Sequence, residues 1–241
     1  MKKVFIVTTQ ALLFREAIGV VEDTEKGHPG LIVAYGNVGR GKSEIAENQA
    51  IQTGAVYIRV QYGWSPLNMM EAISERVNGI TYRTAAKCKK NIIDSLDARP
   101  RTILMDEADR LWIGNIEHLR DIHDLTGAPI AFIGEPSIYS KLSSRQRIWS
   151  RVTRTIEIGP PVDEDVMLFG LKSAGLKIDP NAAHQLTIRS DGDWRSIVHD
   201  TRDLSIMAKA NQTQAITPEM VATLPPRKKE GPQVELKKGR A

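Results

Sequence analysis

A single cysteine, Cys88, occurs in 241 residues. One thiol excludes an intramolecular disulfide and any cysteine-based zinc site, and the natural setting of such a chain is a reducing cytoplasm. Long apolar runs are missing too, and no stretch approaches the ~18 residues that suggest a membrane span. The opening Met1-Lys2-Lys3-Val4-Phe5-Ile6-Val7 starts like a secretory leader. Thr8-Thr9-Gln10 interrupts it, Arg15 and Glu16 follow, and no small-residue cleavage site is present. The expectation is a soluble, cytoplasmic protein with no membrane partner. Aromatic residues are scarce at 5%, which argues against base stacking as a main mode of nucleic-acid binding. Charge of one sign is scarce as well: 33 Lys+Arg face 29 Asp+Glu, a net +4. That surplus is confined to the last residues, where Arg227, Lys228, Lys229, Lys237, Lys238 and Arg240 oppose only Glu230 and Glu235. The rest of the chain is formally neutral, so a protein basic all over is excluded.

The composition that remains, 41% apolar and 26% charged, is that of an ordinary globular chain. Short apolar runs at Leu31–Tyr35, Ala55–Val60, Thr102–Met105, Pro129–Gly134 and Thr153–Ile158 predict five strands. Amphipathic stretches at Lys42–Thr53, Pro66–Val77, Thr84–Ala98 and near Ile116–Leu125 separate them, with a Ser/Arg-rich helix before the fifth strand. This alternation predicts an α/β fold, a parallel sheet between helices. After Gly159-Pro160-Pro161 the strand signal stops. Asp179-Pro180 and Thr217-Pro218 read as helix starts, and Trp194, Ile197, Val198, Thr201, Leu204 and Ala208 recur at helical spacing. Three regions are expected: a nucleotide-binding core over 1–160 with a short N-terminal lead-in, a small helical lid over 161–225, and a basic, disordered tail over 226–241.

Gly36-Asn37-Val38-Gly39-Arg40-Gly41-Lys42-Ser43 satisfies G-x-x-x-x-G-K-[ST] between a predicted strand and a predicted helix. Glycines let successive backbone N–H groups curl around a β-phosphate, and the following helix adds a partial positive charge. Lys42 is placed to reach the β- and γ-phosphates, and the Ser43 hydroxyl to ligate Mg²⁺. Downstream, Ile103-Leu104-Met105-Asp106-Glu107 is an apolar strand ending in two acids. Asp106 is placed to hold Mg²⁺ through its water shell, and Glu107 to orient or deprotonate the attacking water. Binding alone does not require Glu107, so the two motifs together imply nucleotide hydrolysis.

Over roughly residues 30–215 the sequence resembles the AAA+ ATPases, and two further stretches carry the resemblance. Ser150-Arg151-Val152-Thr153-Arg154 looks like the segment whose paired arginines reach a neighbouring subunit's ATP, with Arg145 and Arg147 close enough to compete for that role. Gly192-Asp193-Trp194-Arg195 looks like the sensor 2 motif, whose arginine projects from the lid onto the γ-phosphate. A guanidinium suits phosphate oxygens in both places. Phe132-Ile133-Gly134-Glu135-Pro136 departs from the family, which usually has Asn, Thr or Ser where Glu135 falls. A carboxylate beside a γ-phosphate is repulsive. Either activity is slow or partner-dependent, or Glu135 turns away and Ser137 substitutes.

The small size, the Phe5-Ile6-Val7-Thr8 lead-in and two helices between the second and third strands resemble the compact transposition helper ATPases of the phage Mu B kind. That resemblance implies homo-oligomers with ATP sites between subunits, filaments on double-stranded DNA, a transposase partner, and a bacterial or phage-infected cell. DNA would then meet a strip of Arg76, Arg83, Lys87, Lys89 and Lys90, through phosphate contacts that tolerate any sequence. Two other functions fit the same motifs: a replicative helicase loader, and a nucleotide-switched interaction protein with little turnover.

Overall fold

The strand β1 (Leu31–Tyr35) is buried on both sides. Leu31 and Val33 belong to one core cluster, Ile32 and Ala34 to another. A strand of this kind needs helices above and below it. The structure, a computed structural model describing residues 1–23 and 30–226, supplies them. The strands β2 (Val56–Arg59), β3 (Ile103–Asp106), β4 (Ile130–Gly134) and β5 (Val152–Glu157) join β1 in one sheet. Its order is β2-β3-β4-β1-β5, and all pairings are parallel. The expected α/β fold is the one the chain adopts. The expected tail, from Arg227 onward, lies outside the described residues.

The helix α2 (Lys42–Thr53) leaves the loop after β1 and ends at Gly54 in the left-handed region. Two helices follow β2, as expected: α3 (Pro66–Asn78), opened by a reciprocal Ser65–Asn68 capping box, and α4 (Ala85–Ala98), capped by Thr84. Next come α5 (Ile113–Thr126), then α6 (Pro136–Ser143) and α7 (Gln146–Trp149) between β4 and β5. One core helix is absent from the sequence-based expectation. Where a mere lead-in is expected, α1 (Thr9–Glu22) forms, with Thr8 Oγ1 accepting from the Ala11 N–H at 3.1 Å. Ala11, Phe14, Ala17, Ile18 and Val21 form its buried stripe and pack with Ile45 and Ala46 of α2 against Ile32 and Ala34.

Beyond β5 the chain turns helical, as expected, in α8 (Asp163–Ala174), α9 (Pro180–Arg189), α10 (Trp194–Ala210) and α11 (Pro218–Ala222). Strands do not stop at residue 159, however. The two-residue strands β6 (Lys177–Ile178) and β7 (Ala215–Ile216) pair in parallel. Two residues are too few to show an alternating pattern, so long-range pairing made this pair. These helices enclose their own core around Val166, Leu186, Ile197 and Leu204.

The N-terminal segment ties that helical region to the sheet. Ile6 is buried in the lid core, the Lys2 N–H donates to the Ser173 carbonyl at 2.7 Å, and the Thr9 N–H donates to Asp165 at 3.4 Å. Burial raises the Asp165 carboxyl above the ordinary carboxylate range, against the pull of the Val162 and Thr9 N–H groups. Among the described residues, no helix is long and apolar enough to cross a membrane.

Candidate active site

Strand order decides where the motifs meet. Because β4 lies between β1 and β3, the carboxyl ends of three adjacent strands deliver the 36–43 loop, Gly134-Glu135 and Asp106-Glu107 to one place. Ligands of open α/β sheets bind at this end. A cavity of about 870 Å³ opens there.

Val38, Gly39, Arg40, Gly41, Lys42 and Ser43 line it. Gly39 and Gly41 sit at φ +80° and +85°, a region costly for residues with a side chain. At Gly36 a Cβ would come within 2.3 Å of the Ile158 carbonyl oxygen. Gly36 and Asn37 turn their carbonyls inward, and Lys42 Nζ donates to them at 2.7 and 2.8 Å. No side chain caps α2, so its first-turn N–H groups are available to an anion. Burial lowers the Lys42 ammonium from the ordinary lysine value, while Glu135, Asp106, Glu107 and Asp109 pull it back up.

Asp106 is buried, with Oδ2 accepting from the Tyr57 hydroxyl at 2.7 Å and Oδ1 from the Glu107 N–H at 3.0 Å. Burial, then the bond to Asp106, raises the Tyr57 hydroxyl far above the ordinary tyrosine value, so it remains a donor. Glu107 adopts φ 57°, which a residue with a side chain takes only when its surroundings hold it. Its carboxylate is paired with Arg59 at 3.4 Å and with Arg110 at 3.2 Å. Glu135 lines the cavity, its N–H held by Asp109 Oδ1 at 3.0 Å, whereas Ser137 is not part of the wall.

The remaining wall comes from the helical region after β5 and the N-terminus. Arg195 lines the cavity, as do Phe169, Trp194, Val198 and His199. The Trp194 N–H donates to the Gly39 carbonyl at 2.9 Å, and the Arg40 guanidinium donates to the Asp191 carbonyl, so the lid grips the loop directly. Phe169 and Trp194 meet edge to face at 5.7 Å. Residues 1–6 close the other side.

Several of these residues escaped the sequence reading: Tyr57, Arg59, Arg110, Phe169 and the N-terminal segment. A signal for the first two existed. Val56 and Ile58 are the apolar positions of β2, so Tyr57 and Arg59 must share its other face.

Other expected residues lie elsewhere. Arg145, Arg147, Arg151 and Arg154 do not line the cavity of their own chain. Arg151 Nε is 2.5 Å from Asp124 Oδ1, its Nη1 donates to the Arg147 carbonyl at 2.6 Å, and Arg154 is an exposed residue within β5. Of the basic strip, Arg76, Arg83, Lys87 and Lys90 are exposed. Lys89 does not belong with them, because it is paired with Asp121 of α5 at 2.8 Å. Positions three apart on a helix share a face, so Lys87 and Lys90 point outward together while Lys89 turns toward α5.

Among the described residues, no group of three or more His, Cys, Asp or Glu could hold a metal ion. Ser43 and Asp106, both on the cavity wall, still fit Mg²⁺, which commonly takes one or two protein ligands and completes its shell with phosphate and water.

Residues 24–142 match the family model of the AAA domain. A Staphylococcus aureus protein described as a potential ATP-binding protein is 42% identical over 50 residues, 21% of this chain and only 18% of that protein. Three solved structures resemble the whole fold. Cdc6p from Pyrobaculum aerophilum has a TM-score of 0.66 at 15% identity, covering 90% of this chain and 67% of that one. The Aeropyrum pernix ORC1 protein in complex with DNA has 0.61 at 18%, covering 90% and 64%. The Thermotoga maritima RuvB Holliday junction branch migration motor has 0.56 at 19%, covering 89% and 68%. The chain therefore spans about two thirds of the length of these structures. With the glycine-rich 36–43 loop after β1, two acids ending β3 and a helical region beside both, residues 24–142 match the AAA domain model and the chain has the fold of the AAA+ P-loop NTPases.

Proposed function

We propose that the protein is a Mg²⁺-dependent ATPase that assembles on duplex DNA in its ATP form and serves a transposase as target-selecting helper. The meeting of the phosphate loop, Asp106 and Glu107 in one cavity carries the ATPase reading. Lys42 and the loop N–H groups would hold the phosphates, Ser43 and Asp106 the metal, and Glu107 the attacking water. Mg²⁺, when bound, offsets charge on the β- and γ-phosphate oxygens. Arg195 would contact the γ-phosphate from the lid. Arg151 and Arg154, remote from their own cavity, would act in a neighbour's, which makes the oligomer part of the active site.

Association with DNA is supported by the exposed Arg76, Arg83, Lys87 and Lys90, and by likeness in fold to an ORC1 protein seen in complex with DNA and to a branch migration motor. The transposition role rests on the sequence resemblance. A nucleotide-switched protein with little turnover is the second reading, favoured by the Glu135 carboxylate on the cavity wall.

Sedimentation with duplex DNA tests the main reading. Wild-type protein should co-sediment with ATP and not without it, and Lys42→Ala should lose both ATP and DNA. ATP-independent sedimentation would contradict the proposal. Equal phosphate release by wild type and Glu107→Gln would favour the switch.

A further inference from the structure

Beside the nucleotide cavity lies a second groove, of about 410 Å³, between the turn after β3 and the end of α6. Arg110, Trp112, Lys141 and Arg145 line it, and no carboxylate does. Arg110 belongs to both walls: it lines the nucleotide cavity as well, with its guanidinium on Glu107 at 3.2 Å. Trp112, at the start of α5, is 72% exposed, although a large indole left in water forgoes much burial energy. The turn beneath it is firmly held, since Lys141 Nζ donates to the Asp109 and Leu111 carbonyls. Tyr62, in the loop after β2, is likewise exposed, at 91%. The two loops are joined by Asn115 Nδ2, which donates to the Trp64 carbonyl at 3.1 Å.

Cationic walls without a carboxylate select an anion. The exposed indole adds a flat apolar face on which a base can stack while its phosphate meets the cationic wall. We propose that this groove binds a nucleotide unstacked from the DNA, its phosphate on Arg110 and Arg145 and its base on Trp112, and that this contact draws Arg110 away from Glu107. Arg110 reaches Glu107 through a single Nη2–Oε2 approach at 3.2 Å, so a phosphate that takes that nitrogen in a bidentate pair competes directly with the carboxylate. Glu107 is then restrained by Arg59 alone, and DNA becomes the activator of hydrolysis. The proposal rests on the DNA-binding reading above and adds the place and the consequence of contact.

The test uses the full chain with ATP, measuring affinity for labelled oligothymidylate and for duplex DNA, and phosphate release with and without each. Trp112→Ala should keep wild-type ATP affinity and DNA-free turnover. Its affinity for oligothymidylate should fall about tenfold, the loss expected for one stacked base, and its stimulation by DNA should fall with it. Trp112→Phe should recover most of both. Arg110→Gln should hydrolyse ATP faster without DNA and gain little from it. Wild-type affinity and stimulation in Trp112→Ala would overturn the groove, even if ATP-dependent duplex sedimentation left the proposed function standing. Failure of the wild type to bind duplex DNA would remove the proposed function, and the oligothymidylate result would then decide the groove by itself. Stimulation by polyglutamate but not by oligothymidylate, lost in Trp112→Ala, would assign the groove to an acidic protein segment and overturn the proposal.

Discussion

Glu107 shows how much of the proposed catalytic position is made by its neighbours. Its left-handed backbone aims the side chain, and Arg59 and Arg110 hold the carboxylate. Glu107→Gln keeps the shape and removes the charge. It should retain bound ATP while phosphate release falls by at least about 100-fold, as expected when a general base is lost. Tyr57 is the quieter partner. Tyr57→Phe removes only the hydroxyl on Asp106, and Mg²⁺ titration of the ATPase should show a weakening of about tenfold. Because burial and the Asp106 bond raise the Tyr57 pKa far above the ordinary value, that hydroxyl stays protonated throughout the neutral range. The ratio of wild-type to Tyr57→Phe activity should therefore be flat from about pH 6 to 9. A ratio that changed with pH would mean that Tyr57 titrates in the site.

Among the elements, α1 separates what a local pattern states from what it suggests. Its stripe of Ala11, Phe14, Ala17, Ile18 and Val21 is legible in the sequence. The apolar run Val4–Val7 just before it draws the eye to a leader instead, and Ile6 of that run is buried in a different core. Phe14→Ala should cost about 3–5 kcal/mol in urea unfolding, as for other large buried side chains. A cost under about 1 kcal/mol would show that α1 is peripheral to the sheet. Lys89 carries the converse lesson. It sits within a basic run, yet helix geometry turns it inward to Asp121, so charge counted along a sequence is not charge counted along a surface.

At the scale of the molecule, the lid and the core share the cavity through backbone contacts. Trp194 holds the Gly39 carbonyl, Arg40 holds that of Asp191, and residues 1–6 span both regions. The arginines near β5 do not line this cavity, and the proposed oligomer would give them a testable part in catalysis. Arg151→Ala should keep ATP affinity and lose turnover. Mixing it with Glu107→Gln should restore part of the activity, because each variant supplies the group the other lacks at a shared site. Its pair with Asp124 is partly exposed and contributes about 1 kcal/mol or less, so the fold should survive. Unchanged turnover in Arg151→Ala would move the role to Arg154 or Arg147.

The sequence by itself determined the features that are contiguous along the chain. Phosphate-loop chemistry depends on glycines at fixed offsets, the strand–helix alternation on local periodicity, and the two acids on the end of one strand. Tertiary structure decided everything that depends on distant partners. Tyr57 and Arg59 meet Asp106 and Glu107 only because β2 pairs with β3 in register, Arg59 opposite Asp106. The cavity gains its wall of residues 1–6 only because the N-terminal segment packs on the helical region after β5. Asn115 of α5 reaches the Trp64 carbonyl only because the segments after two neighbouring strands pack together. The physical reason is the same in each case: these contacts join residues dozens of positions apart, and no local periodicity encodes their meeting.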